Sequence, residues 1–298
     1  MNLDPAARRG LARLITRLAN AGIDEVLRTP LPAISRPARR IGFTGPPGAG
    51  KSTLVGRYVE RRASAECAIA VLGIDPASPY SGGAILGDRV RMDEAAGNPR
   101  VFMRSVSSRD AFDGLCNNVA DILLALEAHG FDEIVMETVG VGQAEHAVEA
   151  LVDTVVLLMQ PETGDGIQAL KAGILEVADI IVVSKSDLPG AARMRENVAG
   201  TVRFGARRAA GGWEVPVVGV SSEAGTGFEE LEAAIAHHAG WAARHRDPEE
   251  RQAARMRYRL HDLLLRRLET VLGDLPSSEV NAASPAALYD RIVAGLAR

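Results

Sequence analysis

Cysteine, aromatic residues and long apolar runs are all scarce in this sequence. Its two cysteines, Cys67 and Cys116, are far apart and form no C-x-x-C pair, so neither a disulfide framework nor a cysteine-based zinc site is indicated. The longest apolar stretch, near residues 155–159, is far too short to span a bilayer. The N-terminus carries charges but no continuous apolar segment of the kind found in signal peptides. We therefore predict a cytoplasmic protein without a membrane partner.

A large excess of charge of one sign is also missing. The 298 residues carry a formal net charge of −4, which argues against nucleic acid as a general partner. The first forty residues are locally basic, with eight arginines against three acidic residues, and we interpret them as solvated helix faces rather than a polyanion site. A chain of this length has room for one large α/β domain with appendages.

The most informative stretch, residues 41–53, reads I-G-F-T-G-P-P-G-A-G-K-S-T and contains the pattern G-x-x-x-x-G-K-S. Glycines let backbone N–H groups wrap around phosphate oxygens, and the N-terminus of the following helix attracts the same anion. In this pattern Lys51 reaches the β- and γ-phosphates and Ser52 places its hydroxyl on Mg²⁺. A plain Gly-rich turn is the alternative, and the full match directly after an apolar strand argues against it. The predicted phosphate-binding residues are Gly45, Pro46, Gly48, Ala49, Gly50, Lys51, Ser52 and Thr53.

From residue 41 onwards, short β-branched runs alternate with helical segments. Continuous apolar strands between helices indicate an α/β protein with a mostly parallel sheet that helices cover on both faces. Ligands of such sheets bind at the carboxyl ends of the strands, where the P-loop lies. The predicted strands are 41–43, 68–74, 101–106, 134–137, 155–159, 180–184 and 217–221, and the clearest helices are 51–63, 111–129 and 228–239.

Helical segments flank this region on both sides. In the C-terminal segment, Asp247 is a good N-cap before Pro248, residues 249–272 carry an apolar stripe, and a last helix is expected around 285–296. Such an arm packs on its own domain or on a second copy of the chain, and we favour a dimer contact. The predicted division is an N-terminal helical extension over 1–39, a P-loop domain over 40–240 and a C-terminal helical arm over 241–298.

Carboxylates end two of the predicted strands. Asp75 closes one of them and is well placed for Mg²⁺ or its waters, although a turn residue or a helix cap is an equal interpretation. The long loop after it is rich in Gly, Ser and Pro and contains Asp88, a composition that suits a switch ordered by γ-phosphate and Mg²⁺. Arg89 and Arg91 in this loop are candidates for contacting phosphate or partner acids, or are ordinary surface charges.

Glu137 ends another strand, in the string I-V-M-E-T-V-G-V-G. Three residues later, Gly140 can donate its N–H to the γ-phosphate, which is one way to sense the nucleotide state. Gln143 can orient the attacking water or simply hold the loop together. The next loop-to-helix passage carries Asp165 and Lys171, which are candidates for switch or partner work or ordinary helix-start residues.

Base recognition is expected at the ends of the last two strands. Asp187, in S-K-S-D, can accept hydrogen bonds from guanine N1–H and N2–H₂, which adenine does not offer, and Lys185 can lie along the base. The last strand leads into S-S-E-A-G-T-G, a loop able to offer a backbone N–H to guanine O6. The sequence therefore predicts guanine rather than adenine. The residues assigned to the base are Ser184, Lys185, Asp187, Ser221, Ser222 and Glu223.

Together these strings resemble the MeaB/ArgK family of GTPases, within the SIMIBI (signal-recognition-particle-like) class. The resemblance covers about residues 40–240, and the terminal helices also suit it. Its diagnostic strings are G-P-P-G-A-G-K-S-T, D-P-A-S-P-Y-S-G-G-A-I-L-G-D-R-V-R-M, E-T-V-G-V-G-Q and the S-K-S-D loop. It implies a GTPase chaperone of adenosylcobalamin-dependent acyl-CoA mutases, most often methylmalonyl-CoA mutase, which gates cobalamin loading and protects the mutase during turnover.

The resemblance also implies residue roles. The loops after Asp75 and Glu137 resemble switches I and II, and residues 160–171 resemble a third switch that relays the nucleotide state to the mutase. The C-terminal arm resembles the family's dimerisation element. The implied Mg²⁺ neighbourhood is Ser52, Asp75, Asp88 and Glu137. The candidate catalytic residues are Lys51, Gln143 and Lys171, and the switch or partner residues are Arg89, Arg91, Asp165 and Lys171.

One residue departs from the family pattern. The family usually has N-K-x-D where this chain has Ser184, and that asparagine normally ties the base loop to the P-loop. We expect weaker guanine affinity but no change of base, because Asp187 carries the discrimination and is present.

Other functions fit these residues less well. A metallochaperone-type GTPase for another metalloenzyme is the alternative, but the Cys/His ligands usual in such proteins are not seen in the sequence. A partition-type ATPase carries a second lysine early in its P-loop, where this chain has Pro-Pro-Gly-Ala. An inactive binding module conflicts with the intact Lys51 and Ser52. The chain lacks the D-x-H-x-x-G string of a cobalamin domain, so cobalamin is expected on the partner. Methylmalonyl-CoA, isobutyryl-CoA and 2-hydroxyisobutyryl-CoA mutases are all compatible clients.

Overall fold

Seven strands and the helices between them form the computed structural model, which describes residues 3–30, 32–76, 97–108, 114–138, 144–161, 174–205, 212–282 and 284–296. The strands are β1 Arg39–Thr44, β2 Ile69–Asp75, β3 Val101–Ser107, β4 Glu133–Glu137, β5 Thr154–Met159, β6 Ile180–Ser184 and β7 Val217–Val220. The helices are α1 Pro5–Asn20, α2 Ile23–Arg28, α3 Lys51–Ser64, α4 Val119–Ala128, α5 Ala144–Leu151, α6 Ile174–Val177, α7 Ala191–Gly205, α8 Phe228–His245, α9 Pro248–Gly273, α10 Ser277–Ala282 and α11 Pro285–Leu296.

The strands form a single sheet in the order β3-β2-β4-β1-β5-β6-β7. Every pairing between these strands is parallel, which confirms the predicted α/β class. The sequence had predicted only that the sheet would be mostly parallel. Chain progression changes direction at β1, because β2 and β3 lie on one side of it and β5, β6 and β7 on the other. A crevice at the carboxyl ends of the strands is the usual ligand site at such a reversal.

Apolar side chains bury both faces of the sheet. Alternate residues of β2 illustrate this, since Ala70 and Leu72 belong to the core cluster under α1, α4 and α5, whereas Ile69 and Val71 belong to the cluster under α3 and α8. Strands β4, β5 and β6 are buried at every position. This two-sided burial explains why the strands appear in the sequence as continuous apolar runs rather than as alternating patterns.

Two of the predicted helices have different ends in the structure. The helix expected over 111–129 begins only at Val119 in the described residues, because Asn118 adopts a left-handed φ of 56° and its amide donates to the Leu18 and Ala21 carbonyls. The helix expected over 228–239 continues to His245. It stops just before Asp247, which Pro248 restricts to extended backbone.

The N-terminal extension packs on the domain by its apolar side. Leu11, Ile15 and Leu18, at helical spacing along α1, are buried in the core cluster that includes β3 and α4. The Asp4 side chain caps the helix by accepting hydrogen bonds from the Ala6 and Ala7 N–H groups at 2.8 Å. This burial supports the interpretation of the surrounding arginines as the solvated side of a helix.

The long helix α9 lies on its own domain through arginines as well as apolar residues. Arg259 Nε donates to both carboxylate oxygens of Asp121 in α4, at 3.0 and 3.1 Å. Leu263, one turn further on, is buried against Val26 of α2. The predicted helices 249–272 and 285–296 are confirmed as α9 and α11, and the short helix α10 between them was not foreseen. In the described part of the chain, no helix has the length and apolarity needed to cross a membrane.

A buried polar cluster joins α8 to the amino ends of β5 and β6. Asp179 accepts hydrogen bonds from the Val155 N–H at 2.8 Å and from Arg246 at 2.7 Å, and it lies 3.1 Å from His238. Burial acts to raise the pKa of Asp179, but hydrogen bonding and charge from His238 and charge from Arg246 outweigh it, so the pKa is lowered. The carboxylate therefore stabilises the folded state when it is ionised.

Replacing Asp179 with asparagine is expected to lower the free energy of unfolding at neutral pH by roughly 1–3 kcal/mol, since charged hydrogen bonds are lost. A carboxyl group whose pKa is lowered in the folded state stabilises that state fully at pH values above its unfolded pKa of about 3.9. This contribution to stability is lost as the pH falls through the folded-state pKa. Denaturant unfolding of wild type and Asp179→Asn should therefore converge below about pH 4. A difference that stays constant down to pH 2 would contradict this account.

Candidate active site

The P-loop connects the end of β1 to the start of α3, at the carboxyl edge of the sheet. Gly45 adopts a φ of 147°, and a Cβ at this position would lie 2.4 Å from the Leu158 carbonyl oxygen of β5. Gly50, the N-cap residue of α3, has a left-handed φ of 80° and no side chain that could cap the first turn. The first N–H groups of a helix have no acceptor within the helix, and in this loop type they point to where an anion binds.

The Lys51 side chain folds back over the P-loop. Its ammonium group donates to the Gly45 carbonyl at 2.7 Å and to the Pro46 carbonyl at 3.0 Å, and the residue is buried. These contacts hold a positive charge inside the ring of loop backbone atoms. The sequence prediction that Lys51 serves the phosphates is compatible with this position.

The structure brings two predicted metal-site residues into direct contact. The Ser52 hydroxyl, in the first turn of α3, donates to Glu137 Oε1 at 2.6 Å, and both residues are buried. Next to Glu137, the Thr138 hydroxyl donates to the Thr44 hydroxyl at 3.1 Å and its N–H donates to the Phe43 carbonyl. The end of β4 is thus attached to the end of β1, which fixes the Glu137 carboxylate beside the P-loop.

Asp75 is buried at the carboxyl end of β2, the neighbour of β4. Gly73 is paired with Glu137, so Asp75 lies two residues further along the adjacent strand. A hydroxyl and two carboxylates at this edge supply the hard oxygen donors that Mg²⁺ prefers, and the residues fit that ion. Among the residues that the structure describes, no group of three or more His, Cys, Asp or Glu side chains is suited to holding a metal. Asp88, the fourth residue of the predicted Mg²⁺ neighbourhood, lies outside the described residues.

The predicted base site lies two strands away, where β6 and β7 end side by side. Asp187 is exposed, and a hydrogen bond from the Ser221 hydroxyl lowers the pKa of its carboxyl group. The Ser221 hydroxyl oxygen in turn accepts from the Ala224 N–H at 3.0 Å, and reciprocal backbone hydrogen bonds between Ser221 and Thr226 close the loop. Asp187 is therefore an ionised, accessible acceptor on an ordered loop.

Ser184 does not contact the P-loop. Its hydroxyl donates to the Met159 carbonyl at the end of β5, at 3.0 Å, in a buried position. The adjacent Lys185, which has a left-handed φ of 50°, donates to Gln160 Oε1 at 2.8 Å. A Cβ on Gly48 would lie 3.8 Å from Gln160 Nε2, so the Gln160 amide lies between the base loop and the P-loop.

Gln160 was missed as a site residue by the sequence analysis, which treated it only as the start of a loop. The available signal was its place directly after the last apolar residue of a central strand, because polar residues at that edge face the ligand crevice. The other predicted site residues near Lys51 and Asp187 lie as expected in the P-loop and in the loops after β6 and β7. Seven predicted residues lie outside the described residues, namely Asp88, Arg89, Arg91, Gly140, Gln143, Asp165 and Lys171.

This parallel sheet, with its glycine-rich loop and lysine at the carboxyl end of the central strand, defines a P-loop nucleoside triphosphatase. The family model described as methylmalonyl Co-A mutase-associated GTPase MeaB matches residues 11–273, and the chain belongs to this family. The protein is accordingly a P-loop GTPase that binds and hydrolyses GTP.

Several known proteins are similar to this chain. A putative GTPase of Pyrococcus abyssi is 35% identical over 290 residues, which cover 96% of this chain and 86% of that protein. The mouse protein called methylmalonic aciduria type A homolog, mitochondrial, is 36% identical over 195 residues, which cover 64% of this chain and 47% of that protein. A crystal structure of LAO/AO transport system kinase superposes with a TM-score of 0.61 at 21% identity, covering 100% of both chains, and shares the fold.

Replacing Gly45 with alanine is expected to weaken GDP binding at least about tenfold, because the new methyl group collides with the Leu158 backbone and the φ of 147° is costly for alanine. Gly10→Ala is the matched control, since nothing lies within 4 Å of its Cβ position in α1. Fluorescent GDP titration and thermal unfolding measure both variants. Wild-type GDP affinity in Gly45→Ala would show that the close approach to β5 does not shape the site.

Proposed function

We propose that this GTPase is a G-protein chaperone that gates adenosylcobalamin loading and protects a cobalamin-dependent acyl-CoA mutase. The observation that carries this proposal is the intact Lys51 and Ser52–Glu137 arrangement in a chain of a family described as mutase-associated. Methylmalonyl-CoA mutase is the first client to test. The cobalamin is held by the mutase and not by this chain.

The proposed catalysis rests on positioning and charge. Lys51 neutralises the β- and γ-phosphates, and its short contacts to two loop carbonyls show that it reaches the P-loop interior. Ser52, Asp75 and Glu137, together with Asp88, would hold Mg²⁺, which supplies further neutralisation of phosphate charge when bound. Gln143 is assigned to the attacking water and Gly140 to the γ-phosphate. Slow turnover by the chain alone is expected if the mutase completes the site.

Nucleotide-state signalling is assigned to three loops. The loop after β2 with Asp88, Arg89 and Arg91 corresponds to switch I, and the loop after β4 corresponds to switch II. The loop after β5, with Asp165 and Lys171, is the proposed third switch towards the mutase. Gln160 supports this assignment, since it begins the third loop and contacts Lys185 of the base loop. A nucleotide that moves Lys185 would thereby act on the start of the third switch.

Asp187 is the residue proposed to recognise the guanine base. The exposed, ionised Asp187 supports this proposal, because it can accept from the two guanine N–H groups. Ser184 bonds to Met159 and not to the P-loop, which supports the expectation of a weaker guanine site than that of an N-K-x-D protein. The hydrogen bond from Lys185 instead connects the base loop to Gln160, the residue after β5, whose amide lies next to Gly48 of the P-loop.

The primary experiment measures GTP and ATP hydrolysis by the purified protein, alone and with methylmalonyl-CoA mutase. We expect low GTPase activity that the mutase raises and that Lys51→Ala abolishes. Arg57→Ala is the control, because this residue lies on the same helix with an exposed side chain that pairs with Glu60 of its own helix. GTPase activity indifferent to acyl-CoA mutases would reject the chaperone proposal while keeping the nucleotide chemistry. A preference for ATP would reject the guanine assignment.

The metallochaperone alternative gains no support from the described residues, which contain no group of three or more His, Cys, Asp or Glu side chains that could hold a metal ion. A stimulation of GTP hydrolysis by an acyl-CoA mutase would argue directly against it.

We also propose that the chain is a homodimer through α9 and α11. Large apolar side chains are exposed along these helices, among them Leu260, Leu264 at 60% and Tyr289 at 68% of their full areas. Meanwhile, arginines of α9, such as Arg259, contact the chain's own domain. An apolar row on the opposite side of a docked helix suits an isologous contact with a second copy.

Sedimentation velocity over a range of concentrations tests the dimer. Leu264→Arg is expected to shift the population to monomer, because it introduces a charge into a face that would otherwise be buried between copies. Leu264→Met is the matched control, since it keeps an apolar side chain of similar volume. A monomeric wild-type protein, or a Leu264→Arg variant that dimerises equally well, would contradict the proposed contact.

A further inference from the structure

A large cavity lies at the edge of the sheet opposite the P-loop. Its volume is about 1000 Å³, and its walls include Arg40 at the start of β1, Glu133 at the start of β4 and Asp153 just before β5. These are amino ends of strands, whereas the P-loop follows the carboxyl end of β1. The segment over 32–40 and the first turns of α9 close the cavity from outside. A ligand here cannot be the nucleotide bound at the P-loop.

The charges around this cavity are unbalanced. In the part of the chain that the structure describes, seven arginines but only four carboxylates line it. Nearer the rim, Glu133 pairs with both Arg62 at 2.7 Å and Arg39 at 3.5 Å. A second group of arginines that share carboxylates lies deeper in the cavity.

Three guanidinium groups share two carboxylates in the interior. Arg40 donates to Glu127 at 2.7 Å, and both side chains are almost completely buried. Arg251 and Arg255, one helical turn apart on α9, both contact Asp153 Oδ1, with a distance of 2.6 Å for Arg255. The other Asp153 oxygen accepts from the Arg40 backbone N–H at 2.8 Å. In the described part of the chain, three guanidinium groups thus face two carboxylates in this cluster, an excess of one positive charge.

Mutual repulsion acts on the pKa values of these groups. Burial and the charge of Arg255 lower the pKa of Arg40 to about 10. Burial, together with the charges of Arg255 and Arg40, also lowers the pKa of Arg251. All three groups remain protonated at neutral pH, so the cluster carries a repulsion that an anion would relieve.

The cavity offers both polar and apolar contacts to a ligand. Arg251 and Arg255 keep 29% and 23% of their side chains accessible, and guanidinium groups match phosphate oxygens with two parallel N–H donors. Ile34, Leu124 and Met256 provide an apolar wall beside them. A volume of about 1000 Å³ is at the upper end of ordinary small-molecule sites.

We propose that this cavity is a second ligand site, separate from the P-loop, which binds a small organic phosphate through Arg251 and Arg255. The phosphate group neutralises the shared guanidinium cluster, and the apolar part of the molecule lies against the wall formed by the 32–40 segment, α4 and α9. The occupant is a small molecule with one charged end, because the cluster of Arg40, Arg251 and Arg255 lies beside the apolar wall of the cavity.

The test is isothermal titration of hexyl phosphate into the full-length chain carrying Lys51→Ala, which weakens the competing P-loop site. Adding Arg255→Gln should weaken hexyl phosphate binding at least about tenfold, because one of the two guanidinium groups that bind the phosphate is lost. Arg257→Gln is the matched control, since Arg257 lies on the same helix with a side chain 65% exposed and paired with Glu250. Equal binding by all three proteins, or equal weakening by both arginine replacements, would overturn the proposal.

Folding of the variant is measured separately. Asp153 keeps Arg251 as a partner when Arg255 is replaced, and the repulsion falls, so the Tm of Arg255→Gln without ligand should be equal to or above that of the parent. Hexyl phosphate should raise the Tm of the parent and leave that of Arg255→Gln unchanged. If the Tm of Arg255→Gln were lower than that of the parent, and hexyl phosphate did not raise the Tm of the parent, the arginine cluster would be purely structural.

Inorganic phosphate in the same titration separates the two sources of a phosphate group. The apolar wall should make hexyl phosphate bind more tightly than inorganic phosphate. Equal affinities would contradict the organic part of the proposed ligand. Since the titrated protein already carries Lys51→Ala and the readout does not depend on nucleotide, failure of this experiment would leave the proposed chaperone function untouched.

Discussion

The hydrogen-bond register of the parallel sheet is the constraint on which the rest of this structure depends. Because all named strands run in one direction, every loop that carries chemistry leaves the sheet at the same edge. The register between β1 and β4, together with the Thr138–Thr44 contact, brings Glu137 to the first turn of α3. Ser52 can then donate to Glu137 over 2.6 Å, although the two residues are 85 positions apart in the chain.

The same edge contains a chain of contacts between the phosphate and base regions. The P-loop packs against the Leu158 backbone through Gly45, and Gln160, the first residue after β5, accepts a hydrogen bond from Lys185 with its amide oxygen. The P-loop, the end of β5 and the base loop therefore form one packed unit. Close-packed protein interiors transmit displacements, which suits the nucleotide-state signalling proposed for these loops.

Arginines dominate the opposite edge and the C-terminal arm. Helix α9 uses Arg259 and Arg255 to attach to Asp121 and Asp153, while leucines on its other side stay exposed. Guanidinium groups suit this arrangement, because they bind carboxylates in fixed geometry and keep their charge when half-buried. One helix thereby attaches to its own domain, presents an apolar face, and lines the cavity with the unbalanced positive cluster.

The sequence by itself determined the α/β class, the strands, the P-loop and the terminal helices, because these depend on local apolar periodicity, glycine spacing and capping residues such as Asp247. The family resemblance also implied that Ser52 and Glu137 belong to one site, and the structure brings the two residues into contact. Only the tertiary structure decided that Ser184 bonds to Met159, that Gln160 lies between two loops, and that helix α4 starts at Val119. The cluster of Arg40, Arg251 and Arg255 also became visible only there. The physical reason is that these contacts join residues from separate elements, whose distances are set by strand register and helix docking and not by spacing along the chain.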